Sequence, residues 1–213
     1  MTWLSQNLHI VGALLVDHLV LSIVPILLSL VISVPLGWLA ARYRRARTAL
    51  LTSTGLLYAI PSLPLFIIVA PLIGVPVRSP VTIIAGLTLY GCALLVRGAA
   101  DAFGSVSSET KLAADAMGHS AWARFWRVEL PLAGPVLLSS LRVVVVSTVS
   151  LVTVGALVGA SSLGTLFTDG FQRGIEASIL TGLVLTVVLA FALDALCVLA
   201  GRAAMPWRRA VTA

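Results

Sequence analysis

Five long apolar runs separated by short polar segments dominate the pattern of this chain. Each run reaches about 20 residues, the length that an α-helix needs to cross roughly 30 Å of hydrocarbon. The apolar residues are continuous, whereas strands of a membrane barrel would alternate apolar and polar positions, so the runs are predicted to be helices. The predicted spans are His18 to Ala41, Ala49 to Gly74, Val81 to Ala100, Leu132 to Val158 and Ala177 to Ala200.

The pattern therefore predicts an all-α fold, a polytopic transmembrane helical bundle with about five spans and one membrane domain, residues 18–200. Residues 1–17 lack the positive start and the small-residue cleavage pattern of a signal peptide. They are predicted to form an outer or interfacial segment, with an additional short helix as the alternative. Residues 201–213 are predicted to form a cytoplasmic tail. Because five helices enclose little space for a solute, a second copy or a homologous partner is expected.

Composition supports the membrane assignment. Hydrophobic residues make up 59% of the 213 residues and charged residues only 10%, with a mean hydropathy of +1.08. These values lie far outside the averages of soluble globular chains. The longest polar segment, residues 101–131, is too short for a separate soluble domain.

The placement of Lys and Arg predicts the orientation, because short cytoplasmic loops hold the excess of these residues. Basic clusters follow the first, third and last predicted spans, and the opposite loops hold only Arg78 and Arg173. The N-terminus is therefore predicted outside and the C-terminus inside. The net charge of +6 is attributed to these cytoplasmic loops and not to a nucleic-acid-binding surface.

The polar segment between the third and fourth spans is predicted to form a helical hairpin. A short helix over Glu109 to Met117 ends at Gly118, and Ser120 caps a second helix, Ala121 to Val128. On that helix Trp122, Phe125, Trp126 and Glu129 share one face, and Leu130 and Pro131 end it before the next span. The aromatic residues predict a docking element or an anchor at the lipid surface.

Two segments at membrane depth contain residues that interrupt helices. Pro61, Ser62 and Pro64 lie within the second span, where the prolines remove backbone donors, so the segment lines a pathway or forms a packing kink. A small-residue segment after the fourth span predicts a subunit or gate contact, or a plain outer loop. Its candidate residues are Gly159, Ser161, Ser162 and Gly164.

Ionisable residues within the spans are few. Arg97, Arg142 and Asp194 are predicted to form an ion-pair cluster or to extend towards the membrane interface. The cysteines and histidines have no metal-ligand spacing, so no metal site is predicted. No nucleophile, base and orienting group can be recognised, so no catalytic residues are predicted.

The hairpin resembles the EAA loop of permeases from ABC importers, whose pattern is roughly Glu-Ala-Ala, three residues, Gly, nine residues, an aliphatic residue, any residue and Leu-Pro. Leu112 departs from the pattern, since it stands where the family usually has Glu. The residues that match are Ala113, Ala114, Gly118, Val128, Leu130 and Pro131.

Further stretches resemble permeases that import glycine betaine, choline, carnitine or proline. They are "AIPSLPL" at 59–65, "LVR" at 95–97, "SSLR" at 139–142 and "GASSLGTLF" at 159–167. The resemblance implies a type I importer permease core that works with a second permease subunit, identical or homologous, with a cytoplasmic ABC ATPase dimer and with an extracytoplasmic solute-binding protein. It also implies that the hairpin is the loop that couples the permease to the ATPase. The residues expected in this coupling loop are Ala113, Ala114, Gly118, Trp122, Phe125, Trp126, Leu130 and Pro131.

The resemblance also implies that ATP and Mg bind to the partner ATPase and that this chain binds no cofactor. The chain has no GxxxxGK[ST] phosphate loop, so it is predicted to be a channel-forming subunit and not an enzyme. The alternatives are an ABC permease for another small solute, an ion-coupled secondary transporter and a membrane enzyme.

Overall fold

A computed structural model describes residues 2–207, and the predicted tail lies outside the described residues from position 208 onward. Within residues 2–207 the chain forms ten α-helices and no strand, which confirms the all-α prediction. The helices are α1 Thr2–Gln6, α2 Leu8–Arg42, α3 Arg44–Ala59, α4 Ser62–Ile73, α5 Pro80–Gly104, α6 Ser108–Ala116, α7 Ala121–Arg124, α8 Leu130–Gly155, α9 Gly164–Arg173 and α10 Glu176–Ala204.

The first span is longer than predicted. The predicted boundary at residue 18 falls inside α2, because residues 8–17 continue the same helix through an apolar stretch without a capping signal. Pro25 and Pro35 also lie inside α2 and do not end it. At about 1.5 Å per residue, the 35 residues of α2 measure roughly 52 Å and exceed the thickness of the hydrocarbon core.

The second predicted span is a bent pair of helices. Helices α3 and α4 meet at an angle of 110° across Ile60 and Pro61. The structure therefore holds four helices long and apolar enough to cross a membrane, or five spans if the bent pair counts as one. The prediction of about five spans is confirmed on the second count, but residues 49–74 do not form one continuous helix.

Helix α5 forms the centre of the bundle. Two thirds of its most apolar window, 67%, is buried against neighbouring helices, compared with 33% for α2. Small residues allow this close packing: a Cβ at Gly37 would lie 2.3 Å from the Cβ of Ala99, and a Cβ at Gly98 would lie 2.2 Å from the Oγ of Ser140. Backbones of α2 and α8 thereby approach α5 on two sides.

Helix α10 lies at the edge of the bundle, since only 6% of its apolar window is buried. A bidentate ion pair holds it to α8: Nε and Nη2 of Arg142 each donate to a carboxylate oxygen of Asp194 at 2.7 Å. Two of the three ionisable residues predicted to cluster therefore pair. Arg97 is exposed on α5 and does not take part.

Candidate functional site

The polar hairpin between α5 and α8 has two helical arms and a tight glycine turn. Ser107 caps α6 by accepting a hydrogen bond from the Thr110 backbone nitrogen at 3.2 Å, and Ser120 caps α7 in the same way from Ala123 at 3.2 Å. Between the arms Gly118 has a φ of +83°, the left-handed conformation that glycine adopts without cost. The predicted roles of Gly118 as a stop and Ser120 as a cap are confirmed.

The second arm does not end at Leu130 and Pro131, so that part of the prediction is wrong. A π-helical turn over Phe125–Glu129 joins α7 to α8, and the backbone nitrogen of Leu130 donates to the Phe125 carbonyl. The wider turn makes room for the ring of Pro131, which lacks an N–H and would clash in an ordinary helix. Hairpin and span form one helical path from Ala121 to Val158.

Phe125 is not part of an exposed aromatic face. Its side chain is 6% exposed and packs against Trp38 of α2 and Phe103 of α5, with ring centroids 5.2 Å and 5.7 Å away. Trp122 and Trp126 remain 66% and 52% exposed. Phe125 thus fixes the hairpin to two spans, and only the two tryptophans are open to a partner or to lipid.

A charged network ties the same arm to α2. Glu129 is 4% exposed, and its carboxylate accepts hydrogen bonds from Arg124 Nε at 2.8 Å and from Trp38 Nε1 at 3.0 Å. Arg124 also pairs with Asp115 of α6. The sequence reasoning did not single out Trp38 or Arg124; the useful signal was a single acid, Glu129, among large apolar residues.

The first arm of the hairpin exposes large apolar side chains, whereas the second arm carries the buried charged network. Ala114 is buried at 1% exposure, whereas Ala113 is exposed and Leu112 and Met117 are 67% and 71% exposed. Lys111 donates from Nζ to the Phe103 carbonyl at 3.2 Å, near the C-terminal end of α5 where the helix dipole favours a cation. The arm is therefore anchored to α5 while Leu112 and Met117 stay exposed.

The proline segment is the bend between α3 and α4. Pro61 and Pro64 are exposed and Ser62 is half-buried, and the Ile60 carbonyl freed by the break accepts a hydrogen bond from the Tyr90 hydroxyl. Tyr90 lies on α5, so the central helix satisfies the break.

Replacing Tyr90 by phenylalanine is expected to loosen this bend, because the half-buried Ile60 carbonyl loses its donor at a cost of about 0.5–1.5 kcal/mol. The melting temperature of the purified protein should fall. Tyr58→Phe is the matched control, since Tyr58 contacts Tyr90 only through its ring, with centroids 5.9 Å apart, and is 51% exposed. Equal melting temperatures for the two variants would contradict the role of the Tyr90 hydroxyl.

The glycine segment turns back at the end of α8. Gly159 has a φ of +88° after a short 3₁₀ turn over Ala156–Val158, and Ser161 donates from Oγ to the Asp17 carboxylate at 2.6 Å. Ser162 is buried, and its Oγ accepts from the Gly164 nitrogen at 3.1 Å. Asp17 was missed by the sequence reasoning, although it is the single acid of Leu8–Arg42.

The structure brings the two interrupted segments together and separates both from the hairpin. Phe66 of α4 and Ala160 of the glycine segment share one buried cluster with Ile83, near the start of α5. Phe103 and Phe125 belong to a different cluster at the far end of α5. Helices α5 and α8, each roughly 38 Å long, run between these two ends.

Comparison with known protein families identifies the family to which this helical bundle belongs. Residues 33–204 match the model of the family described as "binding-protein-dependent transport system inner membrane component". The chain belongs to this family. The match includes the hairpin, both interrupted segments and all helices from the last ten residues of α2 to the end of α10.

Curated permeases of this family are similar to the chain over most of its length. The osmoprotectant import permease protein OsmW of Salmonella typhimurium is 30% identical over 197 residues, which cover 90% of each chain. The glycine betaine/carnitine/choline transport system permease protein OpuCD of Bacillus subtilis is 29% identical over 194 residues, 91% of this chain and 83% of that one.

A solved structure shows the same fold in an assembled transporter. The MetNI methionine ABC transporter, in an inward-facing conformation, contains a chain that superimposes with a TM-score of 0.79 at 22% identity. The superposition covers 93% of this chain and 97% of that one. The prediction of an ABC-importer permease fold is thereby confirmed.

Proposed function

We propose that this permease is the membrane subunit of an ATP-driven importer for a compatible solute such as glycine betaine, choline, carnitine or proline. The observation that carries the proposal is similarity along nearly the whole chain to permeases named for osmoprotectants, glycine betaine, carnitine and choline. The hairpin and the interrupted segments supply the two parts that such a subunit needs, a contact for an energy source and a solute path.

The first arm of the hairpin is the proposed contact for the ATPase. Leu112 and Met117 are its large exposed apolar side chains, and Gly118 sets the direction of the turn. The Lys111 and Arg124 contacts fix this arm to α5 and to the second arm, so a push on α6 displaces α5 and α8 as rigid bodies. ATP shifts the equilibrium because it binds the two arrangements with different affinity.

The remaining partners follow from the shape of the chain. Helix α10 leaves nearly all of its apolar surface uncovered, and a second permease subunit would cover part of it and enclose the pathway. With the N-terminus outside and the C-terminus inside, the arginines after α2 and the hairpin lie in the cytoplasm beside an ABC ATPase dimer, which holds ATP and Mg. An extracytoplasmic solute-binding protein delivers the solute to the opposite face.

Replacing Leu112 and Met117 together by aspartate is expected to abolish co-purification of the ATPase, since two charges would enter an apolar contact. The amount of permease in the membrane should not change. Phe171→Asp is the control, because Phe171 is 82% exposed on α9 at the other end of the bundle. ATPase that remains bound to the double variant would remove the first arm from its proposed role.

Uptake measurements test the solute class. Cells that carry the complete transporter are expected to accumulate labelled glycine betaine, choline, carnitine or proline after hyperosmotic shock, and cells without this chain are not. Inertness towards all four would refute the solute class and leave the permease assignment intact. Uptake by the reconstituted chain alone, driven by an ion gradient, would instead indicate a secondary transporter.

A further inference from the structure

An apolar crevice lies between α2 and the second arm of the hairpin, beside the contacts that join them. Its volume is about 560 Å³, and its walls include Val31, Val34 and Trp38 from α2 and Trp122, Phe125 and Trp126 from the hairpin. The two tryptophans thus face the side of an apolar span. They belong to the second arm of the hairpin, whereas Leu112 and Met117 belong to the first.

The α2 wall of the crevice is apolar and exposed, as a surface that faces lipid would be. Val31 is 70% exposed, and it lies in a helix whose apolar window has a mean hydropathy of 2.6. Tryptophan is enriched where hydrocarbon meets the headgroups, because its ring is apolar and its N–H is polar. The crevice therefore has the lining of a site for one acyl chain at the edge of the hydrocarbon.

A cation without a carboxylate partner lies beside the crevice. The guanidinium carbon of Arg42 is 5.6 Å from the Trp38 ring and 5.7 Å from the Tyr43 ring, and within residues 2–207 Arg42 forms no ion pair. The nearby carboxylate of Glu129 is buried and already engaged by Arg124 and Trp38. The positive charge of Arg42 is therefore available to an anion.

We propose that this crevice binds one anionic phospholipid, with an acyl chain between α2 and the two tryptophans and the phosphate at Arg42. The site assigns Trp122 and Trp126 to the membrane and leaves the ATPase contact to the first arm. It rests on the chain being an inner membrane component and does not depend on the solute.

Fluorescence quenching by brominated lipid tests the site in the transporter as it is purified from its membrane. In phosphatidylcholine vesicles that contain brominated phosphatidylglycerol, tryptophan emission is expected to be quenched, and much of that quenching should disappear in the Trp122→Phe, Trp126→Phe double variant. Arg42→Gln should raise the phosphatidylglycerol needed for half-quenching about fivefold, the effect of one basic residue near a membrane. Arg173→Gln, at the opposite end of the bundle, should leave it unchanged.

Val34→Phe tests the same site independently, in case Arg42→Gln does not fold. Val34→Phe keeps the charge of Arg42 and fills the crevice, so it should also reduce quenching while transport of the solute continues. Three results would overturn the proposal: equal quenching by brominated phosphatidylcholine, no effect of Arg42→Gln, or quenching that appears only after the ATPase is removed. A disulfide between two Val31→Cys chains would assign the crevice to a second copy and overturn it too.

Discussion

Glu129→Ala is expected to loosen the attachment of the hairpin to α2 and to lower ATP-driven uptake strongly. The variant leaves the Trp38 N–H without its acceptor and leaves Arg124, whose side chain is 13% exposed, with only Asp115 on the surface of α6. Loss of the Glu129 carboxylate costs about 1–3 kcal/mol, because the Trp38 N–H has no acceptor left and Arg124 keeps only one of its two carboxylate partners. A hairpin that is no longer fixed to α2 transmits less movement to α8.

Limited trypsin digestion and uptake would measure this effect together. Cleavage at Arg124 or Arg127 is expected to become faster in Glu129→Ala, and uptake should fall although the protein still reaches the membrane. Asp169→Asn is the matched control, since it breaks an exposed i, i+4 pair with Arg173 that contributes at most about 1 kcal/mol. Normal uptake in Glu129→Ala would show that the network is not needed for coupling.

Gly164→Ala is expected to have the second large effect, at the other end of the bundle. A Cβ at this position would lie 2.2 Å from the carbonyl oxygen of Thr153 and 2.8 Å from its carbonyl carbon. These are backbone atoms of α8, so no side chain can move aside, and α9 has to shift away from the end of α8. Overpacking of a tight site costs about 1–3 kcal/mol, and a clash with backbone lies at the upper end.

The measurements for Gly164→Ala are the melting temperature of the purified protein and the uptake rate of its solute. Both should fall, because the shift of α9 also pulls on the contact between Ser178 and the Leu166 carbonyl, 2.9 Å apart. Gly12→Ala is the control, since a Cβ there has no neighbour within 4 Å. Equal melting temperatures and uptake rates for Gly164→Ala and Gly12→Ala would show that the close packing of the glycine segment on α8 is not needed for stability or transport.

The hairpin shows how far local sequence can be read. Gly118 and Ser120 act through their own backbone conformation and a hydrogen bond three residues away, so their roles as stop and cap were predictable. The continuity from Ala121 into α8 was not predictable in the same way, because a proline normally ends a helix. The π-helical turn that accommodates Pro131 depends on Phe125 packing into the core.

In the two interrupted segments, too, the local feature was predictable and the long-range contact was not. The prolines at 61 and 64 predicted a break in the second span, but not its 110° angle, which depends on how α3 and α4 pack against α5. The Tyr90 hydroxyl that satisfies the break lies 30 positions further along the chain. The contact between Asp17 and Ser161 joins residues 144 positions apart, so the sequence did not predict it.

The sequence alone determined that this is an all-α membrane protein with about five spans, and its hairpin motif indicated a permease of an ABC importer. These properties depend on composition, on the length of apolar runs and on residues close together in the chain, since burial of apolar surface and helical hydrogen bonding are local requirements in a membrane. Only the tertiary structure decided that Phe125 points inward, that Glu129 binds the hairpin to Trp38, and that the two tryptophans line an apolar crevice beside α2. A helical face predicts which residues point the same way, but the neighbouring helix that covers part of that face is set by packing between distant segments of the chain.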